Sequence, residues 1–369
     1  MKKTGIYIHI PFCVKKCAYC DFVSFDSVNC KREYFDALYK EISLRKMMLK
    51  NCECDTVFIG GGTPSSVDAE YISEILKMLP LSSLAEITLE ANPGTLTEKK
   101  LEIYKKSGVN RISLGVQSLN DAELEKIGRI HSSDEVFKSV EMIKKLGFLN
   151  FNLDLMFGLP GQTLKSFENT LKSAVFLNPL HISAYSLIVE ENTPIAKLSE
   201  SEFPDEETER EMYNLAKKVL SENGYRQYEI SNYAKEGMEC RHNIKYWKLE
   251  NYIGLGLNSH SFFENSRFFN TSDMKKYISM LENNELPLES YQAETSEELI
   301  KDYAITGFRL TEGIDINNVK KRLGIDFYNY FKPVLDKYIS LHLIEKTDKG
   351  FRLSEKGIEV SNYILSDFV

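Results

Sequence analysis

The first half of the chain repeats one pattern: a short apolar run rich in β-branched residues, then a longer amphipathic stretch. The runs are TGIYIHI (4–10), DTVFIG (55–60), EITLEA (86–91), RISLGV (111–116), FNLDLMFG (151–158) and HISAYSL (181–187). Helical stretches occupy 31–49, 68–78, 97–106, 135–145 and 163–176. Strand alternating with helix predicts parallel β/α units. Six such strands predict an α/β fold of the open or partial (β/α)6 barrel type. In these folds ligands bind at the carboxyl ends of the strands. Polar groups and glycines gather at those ends: Cys13 past the first run, Gly60-Gly61-Gly62-Thr63-Pro64 after the second, Glu90-Ala91-Asn92-Pro93-Gly94 after the third. Gln117-Ser118 follows the fourth, and Asp154 with Gly158-Leu159-Pro160-Gly161 marks the fifth.

The pattern changes near residue 190. An acidic linker, LSESEFPDEETERE, leads into a helix to about 223, and 225–270 is rich in Tyr, Asn and Phe with short strand-like pieces. From about 290 the sequence reads as helical, until LIEK and GFRLS predict a small hairpin before a last helix. Helices followed by such a hairpin predict a winged-helix-like unit. The expected division is therefore 1–190 (barrel), 191–285 (barrel extension) and 286–369 (helical C-terminal domain).

Composition narrows the uses of this scaffold. A net charge of −8 and a pI near 5.5 argue against a nucleic-acid partner, which would need a basic surface. The winged-helix-like unit is then read as a packing or docking domain. No run of 18 apolar residues predicts a membrane span, and the opening MKKTGIYIHIPF does not read as a signal peptide. A cytoplasmic location is expected. Seven cysteines, an odd number in a large chain, do not suggest a disulfide framework.

Three of them, Cys13, Cys17 and Cys20, form a C-x3-C-x2-C group. Three thiolates can hold three irons of a four-iron, four-sulfur cluster and leave the fourth iron open; clusters that only carry electrons take a fourth thiolate. Asp21 and Phe22 follow Cys20, so no fourth thiol is adjacent. Zinc is the competing reading. A structural zinc takes four N or S ligands, and His9 would have to be the fourth, although its place in IYIHI suits a sheet residue. Cys52 and Cys54, with Cys30 upstream, read as thiols at a strand edge; extra cluster ligands are the alternative.

YIHIPFCVKKCAYCDF followed by GGGTP resembles the radical S-adenosylmethionine (SAM) superfamily. The resemblance implies a [4Fe-4S] cluster on Cys13, Cys17 and Cys20. It implies SAM chelated to the open iron by its amino and carboxylate groups, and cleavage to methionine and a 5′-deoxyadenosyl radical. Gly61 and Gly62, with Thr63 beside them, would let backbone approach the methionine end. By the same resemblance Tyr7, Tyr19 (against adenine), Glu90, Gln117, Arg129 and Asp154 are SAM-contact positions. Carboxylates suit the sulfonium and ribose hydroxyls, and an arginine suits a carboxylate. A solvated surface arginine is the competing reading of Arg129.

GVQSLNDAELEKIGRIHS, NFNLDLMFGLPGQT and the C-terminal end extend the resemblance to the anaerobic coproporphyrinogen-III oxidase-like family. That family holds oxygen-independent coproporphyrinogen III dehydrogenases, which form protoporphyrinogen IX, and HemW-type heme chaperones. Three features favour the chaperone branch. Phe22 stands where the dehydrogenases carry a further cysteine. The first run begins almost at residue 1, without their N-terminal extension. His242-Asn243-Ile244-Lys245-Tyr246-Trp247 matches an H-N-x-x-Y-W element linked to heme. The resemblance thus implies a chaperone that binds heme and passes it to an apo-hemoprotein acceptor, one that could lie at a membrane. The dehydrogenase is the alternative. A radical SAM enzyme acting on tRNA is a third reading, disfavoured by the acidic balance. His242 is the expected heme ligand, with Cys240 a rival thiolate. Asn258 and Ser259 depart from the Gly-Ala pair usual before His260.

Overall fold

The computed structural model describes residues 2–26 and 29–369. Six parallel strands lie side by side in chain order: β1 (Lys2–Ile10), β2 (Cys52–Gly61), β3 (Leu81–Ala91), β4 (Arg111–Gln117), β5 (Phe151–Phe157) and β6 (His181–Ser186). Strand side chains alternate between two faces, and here the alternation separates core from site. Ile6, Ile8 and Ile10 share a core with Tyr34, Phe35 and Leu38 of the helix Lys31–Leu44. Tyr7 and His9 point the other way. Likewise Leu89 and Leu153 pack outward in the core, while Glu90 and Asp154 face the barrel mouth.

The crossover helices Ala69–Met78, Glu98–Lys106, Ser133–Lys145 and Leu164–Phe176 lie where the periodicity predicts them. Side-chain caps start three of them: Thr97 for the second, and capping boxes at Ser132 and Thr163 for the third and fourth. The stretch 31–49 instead breaks at Arg45 into Lys31–Leu44 and Lys46–Lys50. The Arg45 side chain, at the break, is held by Glu41 and Asn270 in the interior.

The later segments add to the same sheet. β7 (Arg226–Glu229) and β8 (Asn232–Ala234) extend it beyond β6; β9 (Tyr252–Leu255), β10 (His260–Phe263), β11 (Ser266–Asn270) and β12 (Leu288–Ala293) extend it beyond β1. Among the described residues β1 pairs with β2 and β9, not with β6, so the barrel stays open on one side. β12 carries the sheet past residue 286, because Phe268 of β11 stacks on Tyr291 (6.0 Å between centroids) and the two strands pair along their length.

The C-terminal helices enclose a separate core that includes Phe308, Phe331, Leu335 and Phe368. β13 (Ile314–Asp315), β14 (Ile344–Lys346) and β15 (Gly350–Leu353) form a small antiparallel sheet against them, giving the winged-helix-like unit. This unit meets the barrel where the Arg309 guanidinium lies over the Trp247 ring at 4.5 Å. No described helix is long and apolar enough to cross a membrane.

Candidate cofactor site

A cavity of about 420 Å³ opens at the carboxyl ends of β2 to β6. Cys13, Cys17 and Cys20 all line it, as do Tyr19, Gly61, Gly62, Thr63, Glu90, Gln117, Arg129 and Asp154. The loop carrying the thiols is pinned to the end of β2: Gly62 N–H donates to Ile10 O at 2.9 Å and Thr63 N–H to Phe12 O at 2.7 Å. No side chain fits at position 62. A Cβ there would stand 2.8 Å from Phe12 O and 3.0 Å from Cys13 Sγ. Gly61 takes φ +113°, a backbone conformation other residues rarely adopt.

A chain of hydrogen bonds joins two of the thiols. Thr63 Oγ1 donates to Cys13 Sγ (3.6 Å) and accepts from Asn92 Nδ2 (3.0 Å). Arg129 donates from Nη2 to Asn92 Oδ1 (2.8 Å) and from Nη1 to Cys17 Sγ (3.4 Å). Arg129 is therefore drawn into the site and is not a solvated surface arginine. Burial pushes the Cys13 and Cys20 thiols above their ordinary range, with the Thr63 bond pulling Cys13 back.

Deeper in the mouth the carboxylates are held. Ser113 Oγ donates to Asp154 Oδ2 at 3.0 Å and Asn152 Nδ2 to Oδ1 at 2.7 Å. Burial, with Asp154 nearby, pushes the Glu90 carboxyl up to about 8; the Gly61 N–H, 3.2 Å from Oε2, acts against it. Gln117 sits at φ +65° where the register of β4 on β5 slips. Such bulges re-aim side chains near active sites, and here Gln117 Oε1 receives the Tyr185 hydroxyl at 3.1 Å. Asn92, Ser113 and Tyr185 also line the cavity; reading the sequence placed Asn92 at the rim without giving it a role and did not single out Ser113 or Tyr185.

Comparison with known proteins agrees with this geometry. The model of the radical SAM superfamily matches residues 7–174, and that of the HemN C-terminal domain matches 295–360. A heme chaperone HemW of Bacillus subtilis is 38% identical over 98% of this chain and 98% of its own. One from Escherichia coli is 34% identical over 99% and 98%. The chain belongs to the HemW branch of the radical SAM superfamily. In fold, this HemW-branch protein is similar to the coproporphyrinogen III oxidase HemN of Escherichia coli, a radical SAM enzyme. The TM-score is 0.87 at 23% identity, over 100% of this chain and 90% of that one.

Superfamily membership implies a [4Fe-4S] cluster and SAM, and the residues present fit both. Three thiols face one cavity, a glycine turn there has no room for a Cβ, and Arg129 Nε is buried without a partner. A single zinc fits less well. His9 uses Nδ1 on the Tyr7 hydroxyl (3.0 Å) and Nε2 on Val23 O (2.8 Å). Among the described residues no trio of His, Cys, Asp and Glu converges on one metal ion.

The remaining expected residues of this HemW-branch chain lie elsewhere. Tyr7 lines an adjoining cavity. Cys52 and Cys54 are buried at the start of β2, at the opposite end of the strand from the glycine turn, and donate to Met48 O and Thr56 O. His242, on the helix Arg241–Trp247, is 0% exposed and lines neither cavity. Its Nδ1 pairs with Thr56 Oγ1 (2.9 Å) and its Nε2 with the Tyr246 hydroxyl (2.8 Å). To ligate iron it would have to give up one of these bonds. Cys240 is equally buried, and burial pushes its thiol up to about 12. The Glu86 carboxylate beneath them accepts the N–H groups of Arg241 (3.3 Å) and His242 (3.1 Å), seating the helix start on β3.

Proposed function

We propose that this protein is a heme chaperone. It holds a [4Fe-4S] cluster on Cys13, Cys17 and Cys20, binds SAM in the same cavity, binds heme, and transfers heme to an acceptor hemoprotein. One observation carries the reading. Phe22, two residues after the last cluster thiol, is 69% exposed and rims the cavity with the equally open Ile188. A phenyl ring there supplies no further thiolate. It offers apolar surface to a flat hydrophobic cargo instead. Full-length similarity to heme chaperones of other organisms supports the same reading.

A bound cluster and SAM would supply one-electron chemistry. The chain's own residues hold and orient. Thr63 and Arg129 donate to two of the thiolates, which favours their charged form. Glu90 and Asp154 would offer carboxyl groups to the sulfonium and ribose, Tyr19 would offer an aromatic face to adenine, and Gln117, fixed by Tyr185, a hydrogen-bonding edge.

The alternative, coproporphyrinogen III dehydrogenation, is separated by a side-by-side assay on one anaerobically reconstituted sample. Heme titration should give a saturating Soret change, and coproporphyrinogen III should not be turned over. Turnover without a Soret change would sink the chaperone reading.

Glu90 gives SAM binding a pH dependence. With its carboxyl near 8, the group is mostly protonated at neutral pH. A sulfonium beside it favours the ionised form, so binding expels the proton. Affinity should therefore rise with pH until Glu90 is ionised in the free protein, above about 8, and then level off. Calorimetry in buffers of different ionisation enthalpy should show wild type releasing one proton more than Glu90→Gln near pH 7. Equal proton release would place the sulfonium elsewhere.

A further inference from the structure

A second cavity, of about 530 Å³, adjoins the first, a size typical of small-molecule sites. Asp21 and Phe22 line both cavities, so the two residues after Cys20 form the shared wall. The rest is largely aromatic: Tyr7, Tyr246 and Tyr252, the last two edge to face at 4.6 Å. His260 stands at its edge, exposed, its ring stacked on Phe269 at 4.9 Å and 19°.

The other histidines are committed or remote. His9, His181 and His242 each use both ring nitrogens on protein partners. His131 is buried with Nε2 on Val116 O, and His342 lies in the C-terminal unit beside β14. Among the described residues, His260 alone combines a cavity with two unbonded ring nitrogens. Partial burial and the Arg267 charge hold its pKa below the usual histidine value, so its imidazole is neutral at neutral pH. A neutral imidazole is the form that ligates iron.

Asn258 has φ +53° and lines this cavity. Asparagine is one of the few residues that takes this conformation at small cost. Ser259 is turned inward, donating to Gly256 O at 2.8 Å. The turn is thus held by its own residues, and His260 stands exposed at its end.

We propose that this second cavity is the heme pocket, with the His260 imidazole as an axial ligand to iron and Phe22, Tyr246 and Tyr252 against the macrocycle. The assignment rests on the heme-chaperone reading and deepens it. It gives His242 a positioning role: its bond to the Tyr246 hydroxyl fixes one wall. The exposed His260 and Phe22 leave the pocket open on one side, which suits a cargo that must leave. It also sets heme one loop away from the cluster.

The test is titration of full-length protein with ferric heme, read by the Soret band and by electron paramagnetic resonance. His260→Ala should bind heme more weakly by roughly tenfold or more, since even groups that only support metal ligands are worth that much. It should lose the histidine-ligated signature while keeping the brown colour of the cluster. Added imidazole should restore that signature in His260→Gly, an outcome that a purely structural role would not produce. If wild type and His260→Ala bind equally well with the same spectrum, the assignment falls and the chaperone reading stands. If wild type binds no heme, both fall.

Discussion

Cys17→Ala protein, purified and reconstituted without oxygen, will be colourless, and its iron content will fall to background. Cys13→Ala and Cys20→Ala will behave the same way. Each thiolate would hold a separate iron of the cluster, and among the described residues no fourth cysteine lines the cavity to replace one. The other described cysteines lie outside it: Cys52, Cys54 and Cys240 are buried and Cys30 is half-buried. His9 is bonded at both ring nitrogens. Cys17 should be the least replaceable, because the Arg129 hydrogen bond to its sulfur would be left without an acceptor beside an already unpartnered Nε. Cys52→Ala is the control. It lies at the start of β2, and it should keep the brown absorption in full. A chromophore that survives Cys17→Ala would remove the cluster from this site and, with it, the basis for binding SAM there.

How much of this could be read from the chain varies with the kind of signal. The barrel strands were legible because their outward residues, such as Ile6, Ile8 and Ile10, form apolar runs too short for helices. β3 starts earlier than its apolar run because its first residues pack poorly: Leu81 and Ser82 are half-buried and Ser83 and Leu84 exposed. The short strands β7 to β11 carry mixed, partly exposed patterns, and only their presence as a group was foreseen; β12, in the stretch expected to be helical, was not. At the site, the cysteine spacing and the glycine turn announced themselves, because few other uses require those residues in that order. Asn92 and Ser113 did not: a single polar residue at a strand end looks the same whether it bridges two thiols or caps a loop. The H-N-x-x-Y-W element was legible as a unit but not in its parts. Nothing in the order of letters tells that Tyr246 reaches a cavity while His242 supports it from behind.

Glu41→Ala should cost stability on the scale of about 3–5 kcal/mol, the usual result of breaking a buried ion pair from one side. Glu41 and Arg45 look like an ordinary i, i+4 surface pair, which would be worth little. The fold turns them inward. Glu41 is 0% exposed and Arg45 4%. The Glu41 carboxylate accepts from Arg45 Nε (2.9 Å), Gly256 N–H (2.9 Å), Asn270 Nδ2 (2.8 Å) and the Tyr277 hydroxyl (2.8 Å). Alanine would leave the Arg45 charge buried and the Gly256 N–H and Tyr277 hydroxyl short of an acceptor, while Asn270 Nδ2 keeps Gly256 O and Ser259 Oγ. These donors come from different elements: the turn after β9, the end of β11, and the helix Met274–Glu282. One carboxylate thus ties the first barrel helix to the added strands and to the turn that carries Ser259 and His260. The loss should appear as a lower denaturation midpoint for Glu41→Ala, with Glu41→Gln between it and wild type, since the amide keeps acceptor geometry but leaves Arg45 unpaired. Heme affinity should fall along with the midpoint, because the His260 turn loses its anchor, whereas the cluster thiols, held from β2 through Gly62 and Thr63, should still take up iron. A variant that lost cluster and heme together would show instead that the first helix supports the whole barrel mouth.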